Sequence, residues 1–292
     1  MNHPARVAER TAALDILSHG RLDVGTGRAS TRQELGGFGI DPEQTRDMWR
    51  ESLAEIVKMW TETPYPGCEG RFFRMPARNV IPKPVQRPHP PLWLACTDPE
   101  TIAIAARHGV GAASFSVGTP EKMAERIRLY HDLAADAIPI GRAVNRRVAA
   151  TSFMYCGATE AEAREIGVPA AQFFNQQLQR YFSVWTDPNY AGASYAAHKD
   201  VYKVRPGGLD AERLIANGTW LIGAPASLRE TLRRWQATGV DQMILMVQLG
   251  EAPHAAIMRS LRRFAEEVMP EFAGERRPPP TAAASRPSAA SR

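Results

Sequence analysis

Short apolar runs alternate with amphipathic stretches along most of this chain. Pro4 to Ser18 carries Val7, Thr11, Leu14 and Leu17 at helical spacing, which predicts a helix with those residues on one face. Gly20 follows as its stop, because a left-handed position after a helix favours glycine. Leu22 to Thr26 alternates like a strand. Asp41-Pro42 opens a second helix, an N-cap followed by proline in the first turn. Its apolar positions are Trp49, Leu53, Ile56, Val57 and Trp60. A long proline-rich connection leads to a strand over 92–96. Thr97-Asp98-Pro99-Glu100 then caps a helix that runs to His108 and stops at Gly109. Further strands are predicted over 112–117, 147–156 and 242–247. Helices fall between them, with Met123, Ile127, Tyr130 and Leu133 inward on one, and Ile257, Leu261, Phe264 and Val268 inward on the last. Helices alternating with short apolar strands predict parallel βα units. Five strands are too few for a closed eight-stranded barrel.

Composition narrows this picture. With 292 residues and 44% hydrophobic content, the chain can bury a sizeable core. No stretch approaches the roughly 20 apolar residues of a membrane span. The net charge of +5 is concentrated in the segment from Gly274 to Arg292, with four arginines and one glutamate. Elsewhere basic and acidic residues interleave, so the charge does not point to nucleic acid. The Pro-, Ala-, Ser- and Arg-rich segment 273–292 reads as a disordered tail, and 1–272 as the folded domain. Cys68, Cys96 and Cys156 form no CxxC pair. They read as reduced thiols of a cytoplasmic protein, and no metal is expected.

The candidate chemistry lies between Leu14 and Gly39. Gly25-Thr26-Gly27 ends the first predicted strand and Arg28 stands just beyond it. Ligands of α/β proteins bind at the carboxyl ends of strands. An arginine there offers a fork of donors to an anion such as a cofactor phosphate. The alternative for Arg28 is a surface ion pair with Glu34. A dinucleotide-binding reading of GTGRAS fails, because Ser30 replaces the third glycine and ASTRQELGGFG reads as a loop up to Asp41. Phe173, Phe174, Tyr181, Phe182 and Trp185 either line a substrate pocket or form one face of a packing helix.

The run HPARVAERTAALDILSHGRLDVGTGR resembles the bacterial luciferase-like flavin monooxygenases. The resemblance continues in ELGGFGIDPEQTRDMWRESLAEIVKMWT, PKPVQRPHPPLWLAC and TIAIAARHGVG, and closes with GVDQMILMVQLGEAPHAAIMRSLRRFAEEVMPEF. It covers His3 to Phe272 and weakens between about Phe173 and Trp220. It implies a TIM-type (β/α)8-barrel of which the first three strands, about 90 residues at about 30 per βα unit, are missing. The five predicted strands then become the fourth onward.

The resemblance also implies a set of site residues. Gly27 and Arg28 match the arginine turn that holds a flavin phosphate, Cys96, Thr97 and Asp98 match the turn after the fifth strand, and Thr101 matches a hydroxyl one helical turn later. A helix N-terminus independently suits an anion. The alternative is that Asp98 only caps the helix and Thr101 faces solvent. No catalytic residue is assigned. His3 is expected to serve local structure, and neither His89 nor His108 is assigned as a base. The implied reaction uses reduced FMN from a separate flavin reductase, O2 and a small organic substrate. Hydride transfer with the deazaflavin F420 remains open. So does an inactive fragment or partner subunit within a homo- or heterodimer.

Overall fold

A parallel sheet organises the chain. The structure, a computed structural model, describes residues 2–29, 31–115, 118–182, 195 and 209–274. The strands are β1 (Val24–Thr26), β2 (Cys68–Glu69), β3 (Arg74–Met75), β4 (Leu92–Cys96), β5 (Gly111–Ser114), β6 (Val148–Cys156), β7 (Leu221–Gly223) and β8 (Gln242–Met246). Strands β2 and β3 form a separate antiparallel hairpin inside the proline-rich connection. The remaining strands are joined in parallel in the order β1-β4-β5-β6. Strand β6 then pairs with β8 over Ala149–Phe153 and with β7 over Met154–Cys156. Among the described residues β1 and β8 are open edges, and the sheet is a curled half-barrel.

The helices are α1 (Pro4–Leu17), α2 (Arg32–Gly37), α3 (Thr45–Thr61), α4 (Pro99–Arg107), α5 (Pro120–Ala134), α6 (Glu160–Phe182), α7 (Ala211–Ala216), α8 (Pro225–Gln236), α9 (His254–Glu267) and α10 (Met269–Phe272). Most of them cover one face of the sheet, where Val24, Leu92, Leu94, Cys96, Ala112, Val148, Ala150 and Met154 are buried, while α6 and α7 pack with Phe153, Tyr155, Trp220 and Ile222 in a second cluster. Trp49, Leu53, Ile56, Val57 and Trp60 of α3 join that core, each at the predicted position. Each large apolar side chain buried this way contributes about 1.5–3 kcal/mol. The registers put Gly25, Trp93, Ala95, Gly111, Ala149 and Ile244 on the opposite face. There Gly25 and Ala95 are exposed and Ile244 retains 41% exposure.

The five predicted strands are present with small shifts at their ends; residues 116–117 of the third lie outside the described residues. Besides the β2–β3 hairpin, three elements differ from the sequence expectation. Strand β7 is too short, at three residues between Trp220 and Ala224, to show a period. Helix α2 forms where a loop was expected, because Thr31 and Glu34 close a reciprocal capping box over its first turn. Helix α1 buries Ala5, Ala8, Ala12 and Asp15, and leaves Leu14 at 52% and Leu17 at 75% exposure. Packing against α3 selects the small-residue stripe, and Trp60 donates its Nε1–H to the Ala8 carbonyl at 3.0 Å across this contact. The turn after α1 follows expectation, with Gly20 at φ +73° and its N–H on the Asp15 carbonyl.

The aromatic run resolves in part. Phe174 packs edge-on against Phe153, with ring centroids 5.4 Å apart, while Phe173 and Tyr181 are exposed on the same helix α6. Trp185 lies outside the described residues, as does the tail from residue 275. His3 caps α1 by accepting the Ala5 N–H at Nδ1.

His89 is a buried structural tie in the proline-rich connection. Its Nε2 accepts the Arg142 N–H at 2.8 Å, so the proton sits on Nδ1 and is donated to the Pro90 carbonyl. Burial, aided by Arg142, pushes this imidazole below its ordinary range. The unfolded chain takes up that proton at about pH 6.5, and the folded chain only at lower pH. Stability contributed by neutral His89 is therefore present above about pH 6.5 and lost as the pH falls. Urea unfolding is expected to give lower stability at acidic than at mildly alkaline pH, and His89→Gln should shrink the difference. An unchanged pH dependence in the variant would assign the loss to other groups.

Candidate anion-binding site

The pairing of β1 with β4 builds the site. Val24, Gly25 and Thr26 lie opposite Leu92, Trp93 and Leu94, so both strands end side by side. Thr26 locks this ladder by donating its hydroxyl to the Trp93 carbonyl at 2.8 Å and accepting Trp49 Nε1–H at 3.0 Å. Just past the ladder, Gly27 lies against Ala95; a Cβ there would sit 3.5 Å from the Ala95 methyl. Arg28 leaves β1 at this point, and Asp98 begins α4 on the neighbouring strand.

A small cavity of about 20 Å³ lies here, lined by Arg28, Arg46, Trp49, Arg50, Leu94, Thr101 and Ile104. Three arginines and one threonine thus border a small space whose surface is almost wholly apolar. Arg28 donates from Nη1 to Thr45 Oγ1 at 3.2 Å. Glu34 is engaged by Thr31, and no ion pair of Arg28 with a carboxylate occurs among the described residues. Burial and the nearby Arg46 push the Arg28 guanidinium below its ordinary value, against the opposing influence of Tyr195 and Asp98.

Arg46 and Arg50 come from α3 and carried no motif that marked them in the sequence. Their signal is only their spacing from Trp49, which anchors the helix in the core. Arg46 binds both oxygens of Glu100 at 2.5 Å, a two-pronged contact that holds its value above the ordinary one. Its Nε is buried and has no hydrogen-bond partner among the described residues. A buried donor without an acceptor is costly, so this atom marks a place for an incoming acceptor.

The residues predicted after β4 have distinct placements. Asp98 caps α4, accepting the Thr101 N–H at 2.9 Å, the Thr101 hydroxyl at 2.9 Å and the Thr97 hydroxyl at 3.3 Å. Thr101 is buried beside the pocket rather than exposed to solvent. Asp98 also lies within electrostatic reach of Arg28, Arg46 and Arg126, the last from α5. Its carboxylate is the internal counter-charge of an arginine cluster. The Cys96 side chain points into the core, where it donates to the Leu94 carbonyl, and burial pushes its thiol well above the ordinary range. Only its backbone faces the turn, and there its carbonyl accepts the Phe115 N–H.

This arrangement lies at the carboxyl ends of parallel strands, where α/β proteins bind ligands. Comparison with known proteins identifies the family and the fold. The chain belongs to the luciferase-like monooxygenase family, whose model matches residues 1–242. It is 23% identical over 282 residues to the oxygenase component of a flavin-dependent trigonelline monooxygenase from Acinetobacter baylyi, covering 92% of this chain and 73% of that one. A monooxygenase crystal structure from Streptomyces bottropensis superposes with a TM-score of 0.73 at 26% identity, over 93% of this chain and 75% of the other. The oxygenating constituent of 3,6-diketocamphane monooxygenase from Pseudomonas putida, solved in complex with FMN, shares the fold with a TM-score of 0.68 at 21% identity, over 92% and 76% of the two chains.

The charge of Asp98 opposes any anion in the pocket while its cap holds α4. Asp98→Asn keeps a capping oxygen for Thr101 and removes the charge. Titration with inorganic phosphate is expected to show tighter binding to the variant. Weaker binding would mean that the carboxylate orients the arginines more than it repels the ligand.

Proposed function

We propose that this chain acts as a flavin-dependent monooxygenase on a small organic substrate. In this reading it takes up reduced FMN from a separate reductase and uses O2. The observation that carries the reading is the convergence of Arg28, Arg46 and Thr101 on one pocket at the ends of β1 and β4. The donor set fits a flavin phosphate. It offers two guanidinium groups, one of them with a buried Nε in want of an acceptor, while the Thr101 hydroxyl at the border is held by Asp98. Arg28 and Arg46 would grip the phosphate, with the Thr97 and Thr101 hydroxyls and the Cys96–Asp98 backbone beside it. Gly27 keeps the approach open. The bound reduced flavin supplies the electrons for oxygen chemistry, while the protein holds and orients it. The oxygenase component among the relatives supports a reductase partner. F420 would use the same anion pocket, so the phosphate grip alone does not select between the two cofactors.

Arg28→Ala is expected to weaken reduced FMN by about 10- to 100-fold, the loss of a charge-assisted contact of about 1.5–3 kcal/mol. Thermal stability should fall only modestly, since Arg28 forms no ion pair among the described residues, although its bond to Thr45 and its contact with the Tyr195 ring are lost. Unchanged affinity in an anaerobic titration would remove Arg28 from the site.

One observation favours an incomplete catalytic unit. The edges β1 and β8 are unpaired among the described residues, and Ile244 and Ala95 stand exposed on the face that a closed barrel would enclose. Three further βα units would bring the five-stranded β1-β4-β5-β6-β8 path to eight and bury that face. They would also add the rest of the ring pocket and the catalytic groups. Open apolar edges drive pairing. The purified chain by itself is expected to self-associate or to bind a hydrophobic dye strongly. A monomer that binds no dye would contradict the open-barrel reading.

A further inference from the structure

Tyr195 is set apart from every motif that marked the site. It lies in the chain between α6 and α7, 166 positions after Ala29, yet it is only 1% exposed. Its hydroxyl donates to the Ala29 carbonyl at 2.5 Å and lies 3.4 Å from Thr45 Oγ1. Its ring faces the Arg28 guanidinium, with Cζ 5.0 Å from the ring centroid. Thr45 is buried, donates its hydroxyl to the Pro42 carbonyl and accepts from Arg28 Nη1. Backbone, ring and hydroxyl thus hold Arg28 on three sides.

We infer that Tyr195 is a positioning residue that presents Arg28 to a phosphate-bearing ligand, and so sets the preference for FMN over unphosphorylated flavin. The physical argument has two parts. An aromatic face attracts a guanidinium without supplying a negative charge. Arg28 is therefore steadied while its charge stays available, which a carboxylate partner would not allow. The hydroxyl fixes the backbone one residue after Arg28, so the origin of the side chain is set as well as its end. Preorganising a long side chain removes an ordering cost that ligand binding would otherwise bear. A wholly structural Tyr195 would affect all ligands alike; one that acts through Arg28 affects only those that carry the phosphate.

The inference rests on the flavin-phosphate reading of the pocket, and the test separates the two. Affinities of the full chain for reduced FMN and for reduced riboflavin are measured anaerobically, in parent, Tyr195→Phe and Tyr195→Leu forms. The parent is expected to prefer FMN. Tyr195→Leu should weaken FMN by about 3- to 30-fold, from the loss of a desolvated cation–π contact. Tyr195→Phe, which keeps ring and volume, should lose less, and riboflavin affinity should hold in both. Equal loss of FMN and riboflavin affinity, or FMN affinity retained in Tyr195→Leu, would overturn the role of Tyr195 while leaving the phosphate pocket standing. A parent chain that binds both flavins equally would overturn the pocket reading, and this inference with it.

Discussion

The parallel register of β1 on β4 is the constraint on which the rest depends. It aligns two strand ends that are 70 residues apart in sequence. That alignment puts the Gly27-Arg28 exit beside the Asp98 start of α4. A shift of one residue would turn Thr26 away from Trp49 and break the tie between the sheet and α3. Because Arg46 and Arg50 ride on α3, the same tie sets their distance from Arg28. The core around Trp49, Leu53 and Leu94 is thus the rigid support for a cluster of like charges.

Like charges held together have to be compensated. Asp98 does this from within the cluster, and Glu100 does it for Arg46 at the rim. The Arg46–Glu100 pair is partly exposed, so its strength lies in its two-pronged geometry more than in charge alone. Arg28 receives an aromatic ring in place of a carboxylate.

Much of the fold was legible in the sequence because its signals were local. The capped helix at Asp98, and the apolar strands over 92–96 and 242–246, each carry their own period and punctuation. The inward face of α1 was misread because three alanines pack more closely than leucines allow, and composition alone favours the leucines. Arg28 stood out in the sequence at a strand end, while Thr97, Asp98 and Thr101 became candidates for the site only through the family resemblance. Arg46 and Tyr195 were not, since each reaches the site by tertiary packing from a segment with no motif of its own. The occupation of Thr101 by Asp98 was open in the sequence, because a capping residue and an anion compete for the same donors.

The central claim is that the space between Arg28, Arg46 and Thr101 receives the phosphate of a flavin. A crystal structure of the chain grown with FMN tests it most directly. The account predicts the phosphate between the two guanidinium groups, with one oxygen within hydrogen-bond distance of Arg46 Nε. A phosphate bound elsewhere, with that Nε still lacking an acceptor, would contradict it.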